Sequence, residues 1–176
     1  MHTNEVIDNI LNRKSVRKFL PDKIEQQKIE MILKAAMAAP SAVNNQPWCF
    51  IVVNDRDLLD TLGNNLPYAK MLLSAPLAIV VCGDLQQALN GWEEEFWIQD
   101  CSAATQNLLL AVESMGLGAV WTAVYPSENR IETVKNILNL PDNFMPLNVI
   151  PMGYPAGKNL PQNKWDETKV HYNKIQ

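Results

Sequence analysis

A basic segment near the start of the chain, RKSVRK at residues 13–18, holds the first side chains that could do chemistry. If the segment is extended, alternation places Arg13, Ser15 and Arg17 on the same side. Two guanidinium groups and a hydroxyl together suit a phosphate, because arginine binds phosphate oxygens through paired donors. The competing interpretation is structural, since cations that follow a helix are also stabilised by the free carbonyls at its C-terminus.

A polar loop from Pro40 to Trp48 is the second candidate. Its Asn44 and Gln46 carry amides that both donate and accept hydrogen bonds. Such groups are suited to reading the polar edge of a heterocyclic ring. A connecting loop whose polar side chains bind their own backbone would contain the same residue types, and on these residues alone that interpretation is favoured.

Two further segments could lie against a flat ring. The stretch GLGAVWTAVYP at residues 116–126 has glycines ahead of a predicted strand, and glycine lets the backbone approach a ligand closely, although it also simply ends helices. The stretch GWEEEFW at residues 91–97 places Trp92 and Phe96 four residues apart, on one helix face. These aromatic rings could cover a ligand, but aromatics at this spacing more often belong to a core.

Histidine and cysteine chemistry has little support in the sequence. The two histidines, His2 and His171, lie near the ends of the chain, and Cys49, Cys82 and Cys101 are widely spaced. The absence of any close Cys-x-x-Cys or His-x-x-x-His pair argues against a metal site. A Ser-His-Asp or Cys-His hydrolase would need a terminal histidine as its base. Neither the Gly-x-Gly-x-x-Gly motif after a strand nor the P-loop motif occurs, which disfavours those nucleotide sites.

The composition excludes several classes of protein and favours a small globular one. With 176 residues, 47% of them hydrophobic and 19% charged, the chain predicts a single domain, residues 1–176. A net charge of −4 argues against nucleic-acid binding, which depends on basic patches. No signal peptide is evident, and apolar runs such as Leu77–Cys82 are far shorter than the ~20 residues that span a membrane. Three cysteines without a disulfide framework predict reduced thiols in the cytoplasm.

Helices and strands alternate along the chain in a mixed order. Hydrophobic periodicity and turn residues predict helices near 3–12, 24–39, 55–62, 86–115 and 127–138, a short one at 68–74, and strands at 48–53, 77–82, 119–124 and 147–153. The helix at 86–115 could consist of two pieces, and its apolar second half predicts burial at the centre of a domain or between subunits. The class is therefore α+β or α/β. The tail from Tyr154 either frays or clasps a second subunit.

The motifs RKSVRKF, PSAVNNQPWCFIVV, GLGAVWT and IPMGYP occur in an order that resembles the FMN-dependent nitroreductase family. The resemblance extends from Val6 to Lys174, and the chain is similar to the short members of that family. It implies an α+β, three-layer fold with a central, mixed but mainly antiparallel sheet flanked by helices. It also implies a domain-exchanged homodimer, in which the tail, about residues 154–176, wraps the partner subunit and one FMN binds in each interface cleft.

The resemblance assigns a role to each motif. Arg13, Ser15 and Arg17 match positions that hold the FMN phosphate and ribityl chain, and Lys14 contributes mainly its backbone. The loop that reaches the flavin from the other subunit corresponds to Pro40, Ser41, Ala42 and Asn44, with Gln46 beside it. The remaining matches are Lys70 near the pyrimidine side of the ring, Trp121, Thr122 and Ala123 along the isoalloxazine, and Lys164 at the phosphate.

Three departures from the family pattern accompany these matches. Ala123–Val124 stands where better-known members have Glu-Gly, although a backbone amide can still donate there. Gln162 replaces a tail lysine that faces the phosphate, whereas Lys164 keeps a positive charge. The chain is also shorter than many members, so the lid over the flavin is reduced, and Trp92, Phe96 and Trp97 are the candidates for what remains of it.

The activity that the resemblance implies is reduction of a small-molecule acceptor by NADH or NADPH through FMN. Hydride transfer through flavin N5, in a ping-pong sequence, would reduce nitroaromatics, quinones or similar electron-poor acceptors, and no side chain need act as a nucleophile. Three alternatives stay open. They are a flavin-binding sensor or storage protein with little turnover, a relative with different flavin chemistry such as dehalogenation or flavin fragmentation, and a plain structural or interaction domain.

Overall fold

The structure, a computed structural model, describes residues 4–175 except the side chain of Trp92. The helices are α1 Glu5–Asn12, α2 Gln26–Met37, α3 Arg56–Asn65, α4 Phe96–Ser114 and α5 Glu128–Leu138. The strands are β1 Trp48–Val53, β2 Leu77–Asp84, β3 Gly118–Ala119, β4 Thr122–Ala123 and β5 Phe144–Gly153. None of the helices within the described residues is long and apolar enough to cross a membrane.

All strands join one sheet, in the order β1-β2-β5-β3, with β4 also paired to β5. The pairs between these strands are antiparallel, and a parallel bridge joins Ser15 to Ala119 at the edge of the sheet. The central strand β2 is buried along its first seven residues, which is typical of a continuous apolar run of strand length. The sheet is therefore mixed but mainly antiparallel, which confirms the predicted α+β class.

Each face of the sheet carries a hydrophobic core covered by helices. Ile79 and Ile150 face the first core, where Ile32 of α2 and Leu108 of α4 pack against them. The second core, on the opposite face, joins β2 and β5 residues such as Val80 to Leu62 of α3 and Val134 of α5. The three-layer arrangement follows from side-chain alternation along the strands.

Helix α4 crosses the first core, and α1 lies outside it. Leu108 and Cys101 of α4 are fully buried, as the prediction of a central helix requires. The apolar side chains of α1, in contrast, are exposed, with Val6 at 66% and Leu11 at 62%. Val6 and Ile10, together with neighbouring residues of α2 and α4, border an open groove of about 530 Å³. The amphipathic pattern of α1 thus gives it an apolar face that the single chain does not cover.

The structure corrects three predicted boundaries. The predicted strand at 119–124 is interrupted between β3 and β4, because Pro151 faces Val120 in the same register and has no N–H to donate. The helix predicted from Gln86 begins at Phe96, since the Asp84 carboxylate accepts from the Gln86 amide (3.1 Å) and turns the chain. Gly63 lies inside α3 rather than ending the helix there.

Candidate functional site

The basic segment at residues 13–17 runs beside β3 in an extended conformation. Val16 donates its amide to the carbonyl of Ala119 (2.9 Å) and is only 1% exposed. Its side chain packs with Phe19 and Ala75 in a small cluster that Met71 also contacts. Because Val16 is fixed inward, alternation turns its neighbours Ser15 and Arg17 outward.

Arg13, Ser15 and Arg17 line one cavity of about 230 Å³, together with Lys14, Leu160, Gln162 and Lys164. Lys14 binds Glu113 of α4 (2.6 Å), so its side-chain charge is neutralised. Neither Arg13, Arg17 nor Lys164 forms an ion pair with any residue in the described range 4–175. Three uncompensated cations around a small polar cavity favour an anion with several oxygen atoms, such as a phosphate.

The first part of the tail reaches this cavity within the same chain. Leu20 donates its amide to Tyr154, and Ala156 donates its amide to Lys18, both at 2.8 Å. These bonds direct the chain back across the basic segment, where Gln162 and Lys164 line the cavity. The predicted cavity residue Lys164 therefore meets Arg13 and Arg17, whereas Leu160, which also lines the cavity, carries no sequence signal. Wrapping of a partner by residues 154–176 stays a prediction.

Lys70 lies in a turn that is attached to the basic segment. The turn Lys70–Leu73 includes Met71, which packs against the cluster of Val16, Phe19 and Ala75. Arg56 donates to the carbonyl of Ala75 (2.9 Å) and to that of Leu72, so the end of the turn is fixed. The exposed ammonium of Lys70 donates to Asn64 Oδ1 at 3.2 Å. Lys70, the lysine predicted on the pyrimidine side of the ring, is thus positioned by the Val16–Phe19–Ala75 cluster, which also positions the residues of the cavity.

The segment Trp121–Ala123 continues from β3 along the open edge of the sheet. Val124 donates its amide to Leu147 (3.0 Å), so alternation directs the amide of Ala123 toward that edge. Arg130 donates to the Ala123 carbonyl at 3.1 Å and fixes this backbone. An outward amide is the group that could donate to a ligand here, at the position where the family pattern has a Glu-Gly pair.

The loop before β1 has a backbone that is unusual for its residue types. Val43, Asn44 and Gln46 have φ angles of 45°, 60° and 52°. Left-handed backbone of this kind is unfavourable for residues other than glycine, most of all for a β-branched valine. Ser41 Oγ accepts from the Gln46 amide, and Asn44 Oδ1 accepts from Gln46 Nε2, both at 2.9 Å. Gln46 and Asn44 therefore satisfy one another rather than a neighbouring element.

The loop and the cavity lie at opposite ends of the sheet. The basic segment joins β3, which pairs with Met152 and Gly153 at the end of β5. The loop ends at Pro47, whose carbonyl accepts from Asp84, and Asp84 pairs with Phe144 at the beginning of β5. Phe144 and Met152 are eight residues apart in β5, which corresponds to about 26 Å along the strand. The structure thus does not bring Pro40, Ser41 and Ala42 to the cavity of their own chain.

Trp97 is a core residue in this structure rather than part of a lid. It is 4% exposed and packs so tightly on Gly83 that a Cβ there would lie 2.4 Å from its ring. Tyr125 makes an edge-to-face contact with it, with ring centroids 5.1 Å apart. Phe96 at the beginning of α4 is half-buried, and the prediction for the Trp92 side chain lies outside the described residues.

Comparison with known proteins agrees with this arrangement. The model of the nitroreductase family matches residues 10–66 and 61–154. A relative from Methanothermobacter thermautotrophicus, named "Putative NADH dehydrogenase/NAD(P)H nitroreductase", is 43% identical over 171 residues, which are 97% of this chain and 87% of the relative. A crystal structure under the same name from Bacteroides thetaiotaomicron is 52% identical, with a TM-score of 0.94 over 99% of this chain and 100% of that one.

A more distant structure shows the same fold. An FMN-dependent nitroreductase from Clostridium difficile R20291 is 30% identical, with a TM-score of 0.88 over 96% of this chain and 99% of that one. The region that the family model matches contains the basic segment, the 40–46 loop, Lys70 and strands β3 to β5. On the family match and on these identities, the chain belongs to the nitroreductase family.

Proposed function

We propose that the protein is an FMN-dependent NAD(P)H oxidoreductase that reduces nitroaromatics, quinones or similar electron-poor acceptors. The observation that carries the proposal is the cavity beside β3, where Arg13, Arg17 and Lys164 are all unpaired among the described residues. A neutral ligand would leave these charges uncompensated, whereas a phosphate group would bind all of them. The names of the relatives, which include NAD(P)H and FMN, support the same reading.

Residues of this chain would hold FMN at its phosphate and along one side of its ring. The phosphate would bind Arg13, Ser15 and Arg17, and the isoalloxazine would follow the open edge at Trp121–Ala123, within reach of the outward amide of Ala123. Lys70 can release Asn64 and place its ammonium where negative charge develops on the pyrimidine side. FMN, when bound, supplies the redox chemistry by accepting two electrons from NAD(P)H and passing them to the acceptor. The chain itself binds, orients and supplies hydrogen-bond donors.

A second copy of the chain would complete this site. The 40–46 loop and the cavity of the same chain are attached to opposite ends of β5, and these ends lie about 26 Å apart along the strand. The exposed apolar face of α1 and the groove of about 530 Å³ between α1, α2 and α4 would be covered by that copy. We therefore propose a homodimer in which each loop serves the flavin of the partner and the tail beyond Lys164 crosses the interface. The three free cysteines fit a reducing compartment such as the cytoplasm.

The visible spectrum of the purified protein, recorded before and after NADH or NADPH without oxygen, tests the proposal. We expect flavin absorption bands that bleach on reduction and return when menadione or a nitroaromatic compound is added. A protein that stays colourless after incubation with FMN would overturn the proposal. Bleaching without return on any acceptor would favour the sensor or storage alternative, or a different flavin reaction.

A further inference from the structure

Asp100 is a buried carboxylate that touches the 40–46 loop. It lies in the second turn of α4 and is 7% exposed. Its Oδ1 accepts the amide of Ala42 at 2.9 Å, and no cation among residues 4–175 pairs with it. Aspartate is rarely buried without a partner, because an uncompensated charge is costly away from water. The loop amide is therefore the group that compensates this carboxylate.

The loop needs such an anchor, because its backbone is strained at successive positions. Val43, Asn44 and Gln46 all adopt φ angles between 45° and 60°, and Val43 is 80% exposed, so its own packing does not hold it there. Strained backbone persists only when surrounding contacts determine it. The Ser41–Gln46 and Asn44–Gln46 bonds lie within the loop and cannot fix it relative to the sheet. Asn45 Nδ2 donates to the Gln87 carbonyl and holds the later part of the loop, so the bond from Ala42 to Asp100 is the one that holds its first part.

Asp100 lies in a deeply buried part of the molecule. Trp97 and Cys101, on the same helix as Asp100, are 4% and 0% exposed. Cys101 also donates its thiol to the carbonyl of Cys82 in β2 (3.5 Å). A hydrogen bond to an ionised acceptor is roughly twice as strong as one between neutral groups. The bond from Ala42 to Asp100 thus joins the loop to the core by a strong contact.

We propose that Asp100 is a positioning residue, which holds the 40–46 loop through the Ala42 amide in the conformation that meets the flavin of a second copy. The inference rests on the proposed function for its flavin side. The hydrogen bond from Ala42 to Asp100, the clamp, is present in the chain itself and does not need the cofactor. Asp100 itself would contact neither the flavin nor the acceptor, and its effect would pass through the loop.

Two measurements on the purified protein test the clamp. The first is hydrogen exchange of the Ala42 amide in protein stripped of FMN, and the second is the FMN dissociation constant from fluorescence quenching. We expect Asp100→Ala to increase exchange at Ala42 and to weaken FMN binding about tenfold. Asp100→Asn keeps an acceptor oxygen and should recover most of both effects. Thr105→Ala removes another buried polar group of α4 that makes no contact with the loop, and should leave both readouts near wild type even if the melting temperature falls.

A substitution on the loop side tests the same bond and does not depend on Asp100→Ala folding well. Ala42→Pro removes the amide hydrogen, and the extended Ser41 (φ −139°, ψ 158°) is compatible with a following proline. We expect Ala42→Pro to weaken FMN binding about as much as Asp100→Ala, and the two changes together to weaken it no more than either one alone. The clamp would be overturned by wild-type FMN binding in Ala42→Pro, by additive effects of Ala42→Pro and Asp100→Ala, or by unchanged exchange at Ala42 in Asp100→Ala. Wild type that binds no FMN would overturn the proposed function instead, and the exchange data would still decide the clamp.

Discussion

Val16 occupies the space that a side chain at position 118 would need. A Cβ built on Gly118 would lie 2.6 Å from Val16 Cβ, closer than real contacts of this kind. The glycine therefore lets the basic segment lie flush against β3, where Val16 also bonds to Ala119. This contact determines how far Ser15 and Arg17 stand from the edge of the sheet.

Replacing Gly118 by alanine should displace the basic segment. Because the nearest atom is the branched Cβ of Val16 rather than the tip of a flexible chain, we expect a loss of about 1–3 kcal/mol in the free energy of unfolding. FMN binding should weaken as well. Gly116→Ala, at a glycine with open space around it but a φ of 72°, is a control that strains the backbone without pushing Val16. Equal flavin loss in both variants would contradict a role for the Gly118–Val16 contact.

Removing either arginine of the cavity should weaken flavin retention. We expect Arg13→Ala and Arg17→Ala each to raise the FMN dissociation constant by about tenfold or more, because each guanidinium contributes charge-assisted bonds to a phosphate. Lys18→Ala removes a neighbouring exposed cation that does not line the cavity, so it should have little effect. Fluorescence titration at two salt concentrations checks this. Unchanged retention in both arginine variants would refute the phosphate assignment.

Strain at Val43 should be measurable as stability. Since its φ of 45° is unfavourable for a β-branched residue, Val43→Gly should raise the free energy of unfolding by about 1 kcal/mol. The same change at Val52, which lies in β1 with ordinary strand backbone, should lower it. Urea unfolding of wild type, Val43→Gly and Val52→Gly measures these differences. If Val43→Gly is less stable than wild type, the Val43 side chain makes a stabilising contact, for example in a dimer.

The buried thiols should make the fold sensitive to alkaline pH. Burial raises the pKa of Cys101 from 9.0 to about 12, and it raises the pKa of Cys82 still further. The folded chain thus holds these protons more tightly than the unfolded chain. Their contribution to stability is complete below pH 9 and is lost as pH rises toward the folded pKa values. Urea unfolding between pH 8 and 10.5 should show a smaller decline for Cys101→Ala than for wild type, and an identical decline would contradict the assignment.

The parts of the sheet and of its two cores that depend on the hydrophobic pattern of neighbouring residues could be predicted from the sequence. The strand at Trp48–Val53 is found with the predicted bounds, and the run from Leu77 is buried on both faces. The grouping of Arg13, Ser15 and Arg17 followed from alternation alone and is present in the cavity. In each case the neighbouring residues already determine which side a side chain faces.

The features that could not be predicted from the sequence depend on contacts between segments that lie far apart in the chain. Gly63 looked like a helix stop, but it lies in α3, where Leu72 and Leu73 leave little room for a side chain: a Cβ built on Gly63 would lie 3.1 Å from each of them. The gap between β3 and β4 comes from Pro151, on a strand some 30 residues later in the chain. Asp100 carried no signal as a single acidic residue in an apolar helix, because its partner is a backbone amide 58 positions away.

The separation of loop and cavity along β5 links cofactor affinity to self-association. If each flavin needs residues from two chains, diluting the protein into monomers should release FMN, and FMN should in turn strengthen the dimer by mass action. Chains with Arg17→Ala and chains with Asp100→Ala would each form two defective sites when alone. Mixed dimers would place both defects in one site and leave the other intact. If part of such a mixture binds FMN with wild-type affinity, the two chains complement one another and the site is shared. If no part of the mixture recovers wild-type affinity, each chain binds flavin by itself.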